Sequence, residues 1–181
     1  MKGNTKEIYL AGGCFWGTEH YFKQIKGVVF TEVGYANGIT EHPTYEQVCT
    51  DTTRFVETVR IVYDPTMIDL RFLLKMYFKA IDPISVNKQA HDVGTQYRTG
   101  IYYTDDADLS VIEAVWQEEQ LKYKEPLAVE KQPLVNFYKA EKYHQDYLEK
   151  NPDGYCHLPT ALFEFARNAN ISPTITNTTN N

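Results

Sequence analysis

The chain has 181 residues, of which 43% are hydrophobic, and a formal net charge of -6. This length and composition suit one domain whose core is large enough to fold without disulfides or a structural metal. The three cysteines form no CxxC pair and match no zinc-binding spacing with the five histidines, and the acidic charge balance with scattered Lys and Arg excludes a nucleic-acid partner.

The first predicted elements are a strand, a helix and a second strand. Residues 6–11 (KEIYLA) predict a short strand that runs into two glycines. Apolar residues at helical spacing then predict a helix that ends at Gly27 and has Cys14 in its first turn. Residues 28–38 predict a second strand, which ends in the turn dipeptide Asn37-Gly38, where both residues can take positive φ.

The next predicted strand, residues 55–64 (FVETVRIVYD), contains an acid on its apolar face. Its odd positions are apolar except for Glu57, and it stops at Pro65. A carboxyl group on that face is either paired with a partner or an acid whose pKa is raised toward neutrality by desolvation. The strand pattern alone favours the paired, structural interpretation.

Two further helices and a strand are predicted in the middle of the chain. Residues 70–80 predict a core helix with Asp69 as its N-cap and a stop at 81–83. Residues 92–103 predict a glycine-containing loop that leads into a strand, and residues 108–122 predict another amphipathic helix.

The last part of the chain is predicted to be rich in loops. A strand is predicted near 127–130, followed by a short helical piece at 141–150 (EKYHQDYLEK). Residues 168–181 (NANISPTITNTTNN) are expected to be a disordered tail, because they lack large apolar anchors.

Helices interleaved with strands, without repeats or linkers, predict one domain over 1–167 built as a two-layer α/β sandwich. No apolar run approaches the length of a membrane span, and the first residues lack the apolar core of a secretory signal. We therefore expect no membrane association and a cytoplasmic location. A mature form cut from a longer precursor would have the same features.

Cys14 lies in the stretch GGCFWG, where a strand gives way to a helix. A thiol at a helix N-terminus faces unpaired N–H groups and the positive end of the helix dipole, which would lower its pKa and create a nucleophile. The flanking glycines would let the backbone approach a substrate, and Phe15 and Trp16 could line an apolar recess. The alternative is a small buried side chain between two core aromatics, and local spacing does not separate the two.

Three segments in matching order resemble the peptide methionine sulfoxide reductase A family: GCFWG at 13–17, GTQYR at 94–98 and HQDYL…NPDGYC at 144–156. The resemblance covers residues 6–157. It implies an α+β fold, namely a two-layer α/β sandwich with a ferredoxin-like mixed-sheet core and a long coil-rich C-terminal segment. It also implies a monomer without a cofactor or metal that reduces the S epimer of methionine sulfoxide in proteins, with free methionine sulfoxide as an open second substrate.

The resemblance further implies a catalytic cycle. Cys14 would attack the sulfur of the sulfoxide, while Glu57 protonates the oxygen and Tyr45 and Tyr97 bind it. Cys156 would then form a disulfide with the sulfenic acid left on Cys14. Thioredoxin or a similar dithiol would reduce that disulfide.

Five more residues are implied to bind or shape the substrate pocket: Phe15, Trp16, Asp92, His144 and Tyr147. The Phe15-Trp16 pair would cradle the methyl group of the substrate. A satisfied structural histidine fits His144 equally well. Cys49 is expected to be a buried structural thiol.

Three places in the chain depart from the family pattern. Arg54-Phe55-Val56 stand where relatives have Gly-His-Ala before the acid, Ile81 replaces a histidine before Asp-Pro, and His91 replaces a small or polar residue. We expect these changes to alter the shape of the pocket and the rate, and not the reaction.

Three other functions fit part of the pattern. A thiol peroxidase also passes through a cysteine sulfenic acid, but the run before Cys14 is YLAGG and lacks the proline and threonine of peroxiredoxins. A cysteine hydrolase would need a histidine that a motif places as base, and none is recognisable. A binding module that keeps the groove without turnover would not need Cys14, Glu57 and Cys156 together.

Overall fold

The computed structural model describes residues 4–171. None of the helices in this range is long and apolar enough to cross a membrane. The strands are β1 (Lys6–Gly12), β2 (Val28–Ala36), β3 (Val56–Tyr63), β4 (Lys88–Gln89), β5 (Asp92–Val93), β6 (Thr99–Tyr103), β7 (Glu130–Pro133) and β8 (Phe137–Lys139). The α-helices are α1 (Phe15–Lys23), α2 (Tyr45–Val48), α3 (Leu70–Ala80), α4 (Leu109–Gln120), α5 (Tyr147–Lys150) and α6 (Thr160–Asn168).

One six-stranded sheet organises the chain. Its order is β7-β6-β1-β3-β2-β8, and all neighbours are antiparallel except β6 and β7. The inner strands follow the order β6-β1-β3-β2, and the connections β1-α1-β2 and β3-α3-β6 make the ferredoxin-like pattern. The predicted two-layer sandwich with a mixed-sheet core is therefore confirmed.

The main core lies between the sheet and the helices. The odd residues of β3, including Val59 and Ile61, join the residues of α1 and α3 in one buried cluster. Glu57 belongs to the same odd set of β3 and pairs in register with Tyr35 of β2. The opposite face of the sheet holds a smaller cluster, formed by Tyr9, Ala11, Ala36, Val56 and Tyr102 and covered by Leu134 and Phe137. The face predicted for Glu57 is thus the face that the helices cover.

Local signals explain where the main helices begin and how they are joined. Oδ1 of Asp69 accepts a hydrogen bond from the N–H of Phe72 at 2.8 Å, which confirms the predicted N-cap of α3. The hydroxyl of Tyr21 on α1 donates to the carbonyl of Met76 on α3 at 2.7 Å. The bond between Tyr21 and Met76 joins the two helices on the sheet, and α1 begins just after the end of β1.

Several local features differ from the sequence predictions. Asn37 has a φ of +54°, as predicted, but Gly38 does not share the positive φ. Gly38 instead lies against the ring of Phe55, where a Cβ would come within 2.3 Å of ring carbons. Five elements were not predicted: α2, α6, β4, β5 and β8. All but α6 have four residues or fewer, and α6 lies in the part of the chain that was predicted to be rich in loops.

The predicted tail begins inside a helix. Asn168 is the last residue of α6, and Ala169 packs against the main core. Residues 172–181 lie outside the described residues. The domain boundary at residue 167 therefore stays a prediction.

Candidate active site

A cavity of about 110 Å³ opens at the start of α1. It brings together residues from α1, α2, β3, β5, the 3-10 helix Thr95–Tyr97 and the C-terminal segment. The lining residues are Cys14, Phe15, Trp16, Tyr45, Glu57, Asp92, Tyr97 and Tyr155. Residues predicted from separate parts of the sequence thus meet in one place.

Cys14 is the residue that precedes α1. The chain turns between β1 and α1 at Gly13, which has a φ of +85° that favours glycine. The N–H groups of Trp16 and Gly17 lower the pKa of the Cys14 thiol, but burial and the nearby Glu57 raise it more, so its pKa lies well above the usual value. The helix N–H groups lower the pKa of Cys14 as predicted, but the predicted net lowering is wrong, because desolvation outweighs these groups.

Glu57 is a buried acid with no cationic side chain beside it among residues 4–171. Its side chain is 1% exposed, and its Oε1 accepts a hydrogen bond from the N–H of Phe15 at 3.1 Å. Desolvation raises its pKa to about 8, the Phe15 N–H lowers it and the charge of Asp92 raises it further. Glu57 is therefore protonated at neutral pH. The paired interpretation that the strand pattern favoured is wrong, and the desolvated one applies.

Tyr45 reaches the cavity from the short helix α2. Thr44 and Gln47 form a capping box, with the Gln47 N–H donating to Thr44 Oγ1 at 3.2 Å and the Thr44 N–H donating to Gln47 Oε1 at 3.0 Å. The N–H of Tyr45 itself donates to Glu141 at 3.0 Å. Burial and the charge of Glu57 raise the pKa of Tyr45, so its hydroxyl keeps its proton and can donate.

Tyr97 reaches the cavity from the 3-10 helix that precedes β6. It ends the 3-10 helix Thr95–Tyr97, which is tied to Asp51 by the N–H and the hydroxyl of Thr95 at 2.9 and 2.7 Å. The guanidinium of Arg98 donates to the carbonyls of Thr95 and Arg54 at 2.8 and 3.0 Å. Burial, and after it Glu57, raise the pKa of Tyr97. Two neutral phenol hydroxyls and a neutral carboxyl thus face one small space.

Trp16 forms an apolar wall and is held from behind. Its ring stacks on Tyr147 with centroids 3.7 Å apart, and its Nε1 donates to Nδ1 of His144 at 2.9 Å. Burial lowers the pKa of His144, which keeps Nδ1 free to accept. His144 and Tyr147 are not among the residues that line the cavity. The structure places both behind Trp16, where they orient the wall.

Asp92 lies on β5 and is joined to the C-terminal segment. Tyr155 donates from its hydroxyl to Oδ1 of Asp92 at 3.0 Å. Oδ2 of Asp92 is buried and has no hydrogen-bond partner among the described residues. Both side chains line the cavity. Tyr155 lies in a segment that was recognised from the sequence, but it was not predicted to be a pocket residue.

Cys156 lies beside the first turn of α1. A Cβ on Gly17 would come within 3.0 Å of Cys156 Sγ and 2.9 Å of His157 Nδ1. The prediction that Gly17 lets backbone approach a substrate is therefore wrong, since Gly17 makes room for the C-terminal segment. Cys14 and Cys156 are both free thiols.

His157 is a residue of the site that sequence reasoning missed. One of its ring nitrogens, a carboxylate oxygen of Asp92 and Sγ of Cys14 all lie within 4.8 Å of one another. Three donors are fewer than the four of a structural zinc site, and we assign no metal to them. The signal that could have revealed His157 is its position next to Cys156.

Two other expectations can be compared with the structure. Cys49 is exposed at the end of α2, so the prediction of a buried thiol is wrong. Arg54 has a φ of +59°, a conformation that favours glycine, which is the residue of the family pattern at this position. The departure at Arg54 therefore costs backbone strain of about 1 kcal/mol at a surface position.

Comparison with known proteins agrees with this geometry. A family model described as "Peptide methionine sulfoxide reductase" matches residues 6–173. A protein of Lachnoclostridium phytofermentans named "Peptide methionine sulfoxide reductase MsrA" is 55% identical over 165 residues, which cover 91% of this chain and 99% of that protein.

Solved structures resemble the fold as well. The reduced form of Mxr1 from Saccharomyces cerevisiae has a TM-score of 0.81 and 42% identity, and the match covers 88% of this chain and 93% of that one. Mxr1 in complex with Trx2 has a TM-score of 0.57 and 30% identity, and the match covers 81% of this chain and 89% of that one. Sequence, fold and the meeting of a thiol with a protonated carboxyl agree, and the chain belongs to the peptide methionine sulfoxide reductase A family.

Proposed function

We propose that this protein reduces the S epimer of methionine sulfoxide in proteins, with Cys14 as nucleophile and Glu57 as proton donor. The observation that carries the proposal is the burial of Glu57 beside the start of α1. Burial raises the pKa of Glu57 to about 8, so the carboxyl group is protonated at neutral pH. An oxygen cannot leave a sulfoxide without a proton, so a neutral acid next to a thiol suits this chemistry.

The size of the cavity suits the end of a methionine sulfoxide side chain. At about 110 Å³ it is smaller than the pockets of about 300 Å³ or more that enclose whole small molecules. In the proposed complex the methyl group contacts Phe15 and Trp16, and the oxygen faces Glu57, Tyr45 and Tyr97. The rest of a substrate protein would stay outside.

The first step transfers one oxygen atom. Sγ of Cys14 attacks the sulfoxide sulfur, the S–O bond of the substrate breaks, and Cys14 ends as a sulfenic acid while methionine leaves as a thioether. The thiol of Cys14 loses a proton and the oxygen gains one. Glu57 donates to the oxygen and can regain the thiol proton, which fits a site where both groups start protonated.

The second step forms a disulfide. Cys156 attacks the sulfenic acid on Cys14, water leaves, and a dithiol reduces the resulting bond. The position of Cys156 beside the first turn of α1 supports this role. Thioredoxin is the proposed reductant, since the structure of the yeast relative Mxr1 includes a complex with Trx2.

The Cys156→Ser variant is expected to release one methionine per enzyme and then stop. Without the second thiol the sulfenic acid on Cys14 has no partner in the cavity, so thioredoxin-dependent turnover should fall by at least about 100-fold. Methionine release without a reductant measures the single turnover. NADPH oxidation in the presence of thioredoxin and its reductase measures repeated cycling. The exposed Cys49 gives the matched control, and Cys49→Ser should cycle like the native protein. Undiminished cycling by Cys156→Ser would remove its resolving role.

The epimer assay tests the function itself. We expect a peptide with the S epimer of methionine sulfoxide to be consumed with dithiothreitol as reductant and the R epimer to remain. A parallel reaction contains hydrogen peroxide in place of the peptide, so that the two rates of consumption can be compared. Faster consumption of peroxide than of either epimer would favour a thiol peroxidase and contradict the proposal.

A monomeric state, a cytoplasmic location and activity on free methionine sulfoxide stay predictions. Sedimentation tests the monomeric state, and cell fractionation tests the location. The epimer assay with free methionine sulfoxide tests the third prediction.

A further inference from the structure

The disulfide-forming step of the proposed cycle requires one proton to move. The thiol of Cys156 must lose its proton as its sulfur attacks Cys14, and the hydroxyl on Cys14 must gain one to leave as water. Burial raises the pKa of Cys156, so its sulfur is a thiol at neutral pH. A group that faces both sulfur atoms could carry this proton.

The ring of His157 lies close to both sulfur atoms. The position that a Cβ on Gly17 would occupy is 3.0 Å from Sγ of Cys156 and 2.9 Å from Nδ1 of His157, which keeps those two atoms within 5.9 Å of each other. One ring nitrogen of His157 also lies within 4.8 Å of Sγ of Cys14. Small side-chain rotations or one bridging water would bring the ring within hydrogen-bond distance of each reacting group.

A backbone hydrogen bond determines which nitrogen of His157 is free. Nε2 lies 3.0 Å from the carbonyl oxygen of Gly12. A carbonyl only accepts hydrogen bonds, so Nε2 carries the proton and Nδ1 of the neutral ring has a lone pair. Nδ1 is buried and has no hydrogen-bond partner among residues 4–171. Burial also lowers the pKa of His157, which leaves the ring neutral at pH 7.

We propose that His157 is the general base of disulfide formation, taking the proton of Cys156 at Nδ1 and passing it to the hydroxyl that leaves Cys14. This inference rests on the proposed function of the two cysteines. The S–H bond of Cys156 and the S–O bond of Cys14 break, and the S–S bond and one O–H bond of water form. The sulfur of Cys14 is reduced and that of Cys156 is oxidised, so no outside reactant is needed.

The charges around the ring suit a transient imidazolium. The titratable groups that face His157 are Cys14, Asp92 and Cys156. Asp92 is the acidic group among them, and its charge favours a protonated ring, while burial favours the neutral one. A ring balanced in this way can accept a proton from one sulfur and release it near the other.

A single-turnover experiment with His157→Gln tests the proposal. The glutamine amide can still donate to the Gly12 carbonyl, but it is not a base. Reduced protein is mixed with the S epimer without reductant, and samples are quenched with an alkylating reagent. Methionine release measures the first step. Mass spectrometry of the disulfide and of the sulfenic acid on Cys14, trapped with dimedone, measures the second step. We expect disulfide formation at pH 7 to slow by about 100-fold and the sulfenic acid to accumulate, while methionine is still released.

Two comparisons separate base catalysis from a structural effect. His20 and Cys156 line a second cavity, which does not include His157 among its lining residues. His20→Gln is therefore the matched control and should form the disulfide at the native rate. Added imidazole should restore disulfide formation in His157→Ala, which leaves space for the free base. The conversion of the sulfenic acid to the disulfide is followed separately from the first step by the ratio of the two species. In His157→Gln the rate of this conversion should rise with pH as Cys156 ionises by itself, whereas the native rate should change less.

Disulfide formation by His157→Gln at the rate of the native protein would overturn the proposal. Equal slowing of methionine release and disulfide formation, or equal slowing in His20→Gln, would overturn it as well, because either result indicates a general disturbance of the site. Failure of the underlying function gives a different result: no disulfide between Cys14 and Cys156 would then form in the native protein.

Discussion

Replacing Cys14 by serine is expected to reduce turnover of methionine sulfoxide to the uncatalysed rate. A hydroxyl oxygen cannot accept the oxygen of a sulfoxide and give up two electrons, which the sulfur of Cys14 does in passing from thiol to sulfenic acid. The serine side chain is close in size to cysteine, so the buried start of α1 should remain folded. Methionine release from the S epimer, measured with dithiothreitol as reductant, tests this directly.

Measurable turnover by Cys14→Ser would refute the assignment of the nucleophile. The matched control is again Cys49→Ser, since Cys49 is an exposed thiol directly after α2. A second measurement concerns the thiol itself. Because burial and Glu57 raise the pKa of Cys14, iodoacetamide should modify it more slowly than a free cysteine at pH 7 and faster as the pH rises.

Replacing Glu57 by glutamine is expected to slow methionine release at pH 7 by about 100-fold or more, because the amide cannot donate an acidic proton to the sulfoxide oxygen. The pKa of Glu57 is raised to about 8, so the acid is protonated below that pH and ionises above it. The first step of the native protein should therefore be fast below about pH 8 and slow as the pH rises through that value. The variant should lack this decline, and the difference between the two should be largest at pH 7 and below.

Stability provides an independent readout for Glu57. Its pKa rises from 4.5 to about 8 on folding, so the folded protein keeps a proton that the unfolded chain has lost. The stability linked to this group is complete below pH 4.5 and is lost as the pH rises through 8. The free energy of unfolding of the native protein should fall over this range by at most about 5 kcal/mol relative to Glu57→Gln. Urea denaturation of both proteins at pH 5 and pH 9 measures this difference. If the free energy of unfolding changed equally with pH in the two proteins, Glu57 would not be a desolvated acid.

Much of the fold was predictable because it depends on local periodicity. The alternation in residues 55–64 placed Glu57 on the apolar face, and the structure shows it 1% exposed on that face. Asp69 was recognisable as an N-cap since capping depends on side chains only a few residues apart. Four of the elements that escaped prediction, α2, β4, β5 and β8, are too short to show a period. The fifth, α6, lies in the part of the chain that was predicted to be rich in loops.

The glycines and the histidines of the site were less predictable. Gly17 signalled a close approach, but the sequence could not say that the approaching group is the segment with Cys156 and His157. His144 was recognised within its motif, but only the folded chain shows its Nδ1 bonded to Trp16 and away from the cavity wall. Such contacts join residues more than 120 positions apart, and no local pattern encodes them.

By itself the sequence determined which groups are available for chemistry: a thiol at a strand-to-helix junction, an acid on an apolar strand face and a second thiol near the C-terminus. Only the tertiary structure decided their protonation states. The pKa of Cys14 and the pKa of Glu57 both rise because distant segments exclude water from the same small cavity. Desolvation depends on everything packed around a group, and for this reason the folded chain contradicted the expected thiolate while it supported the expected acid.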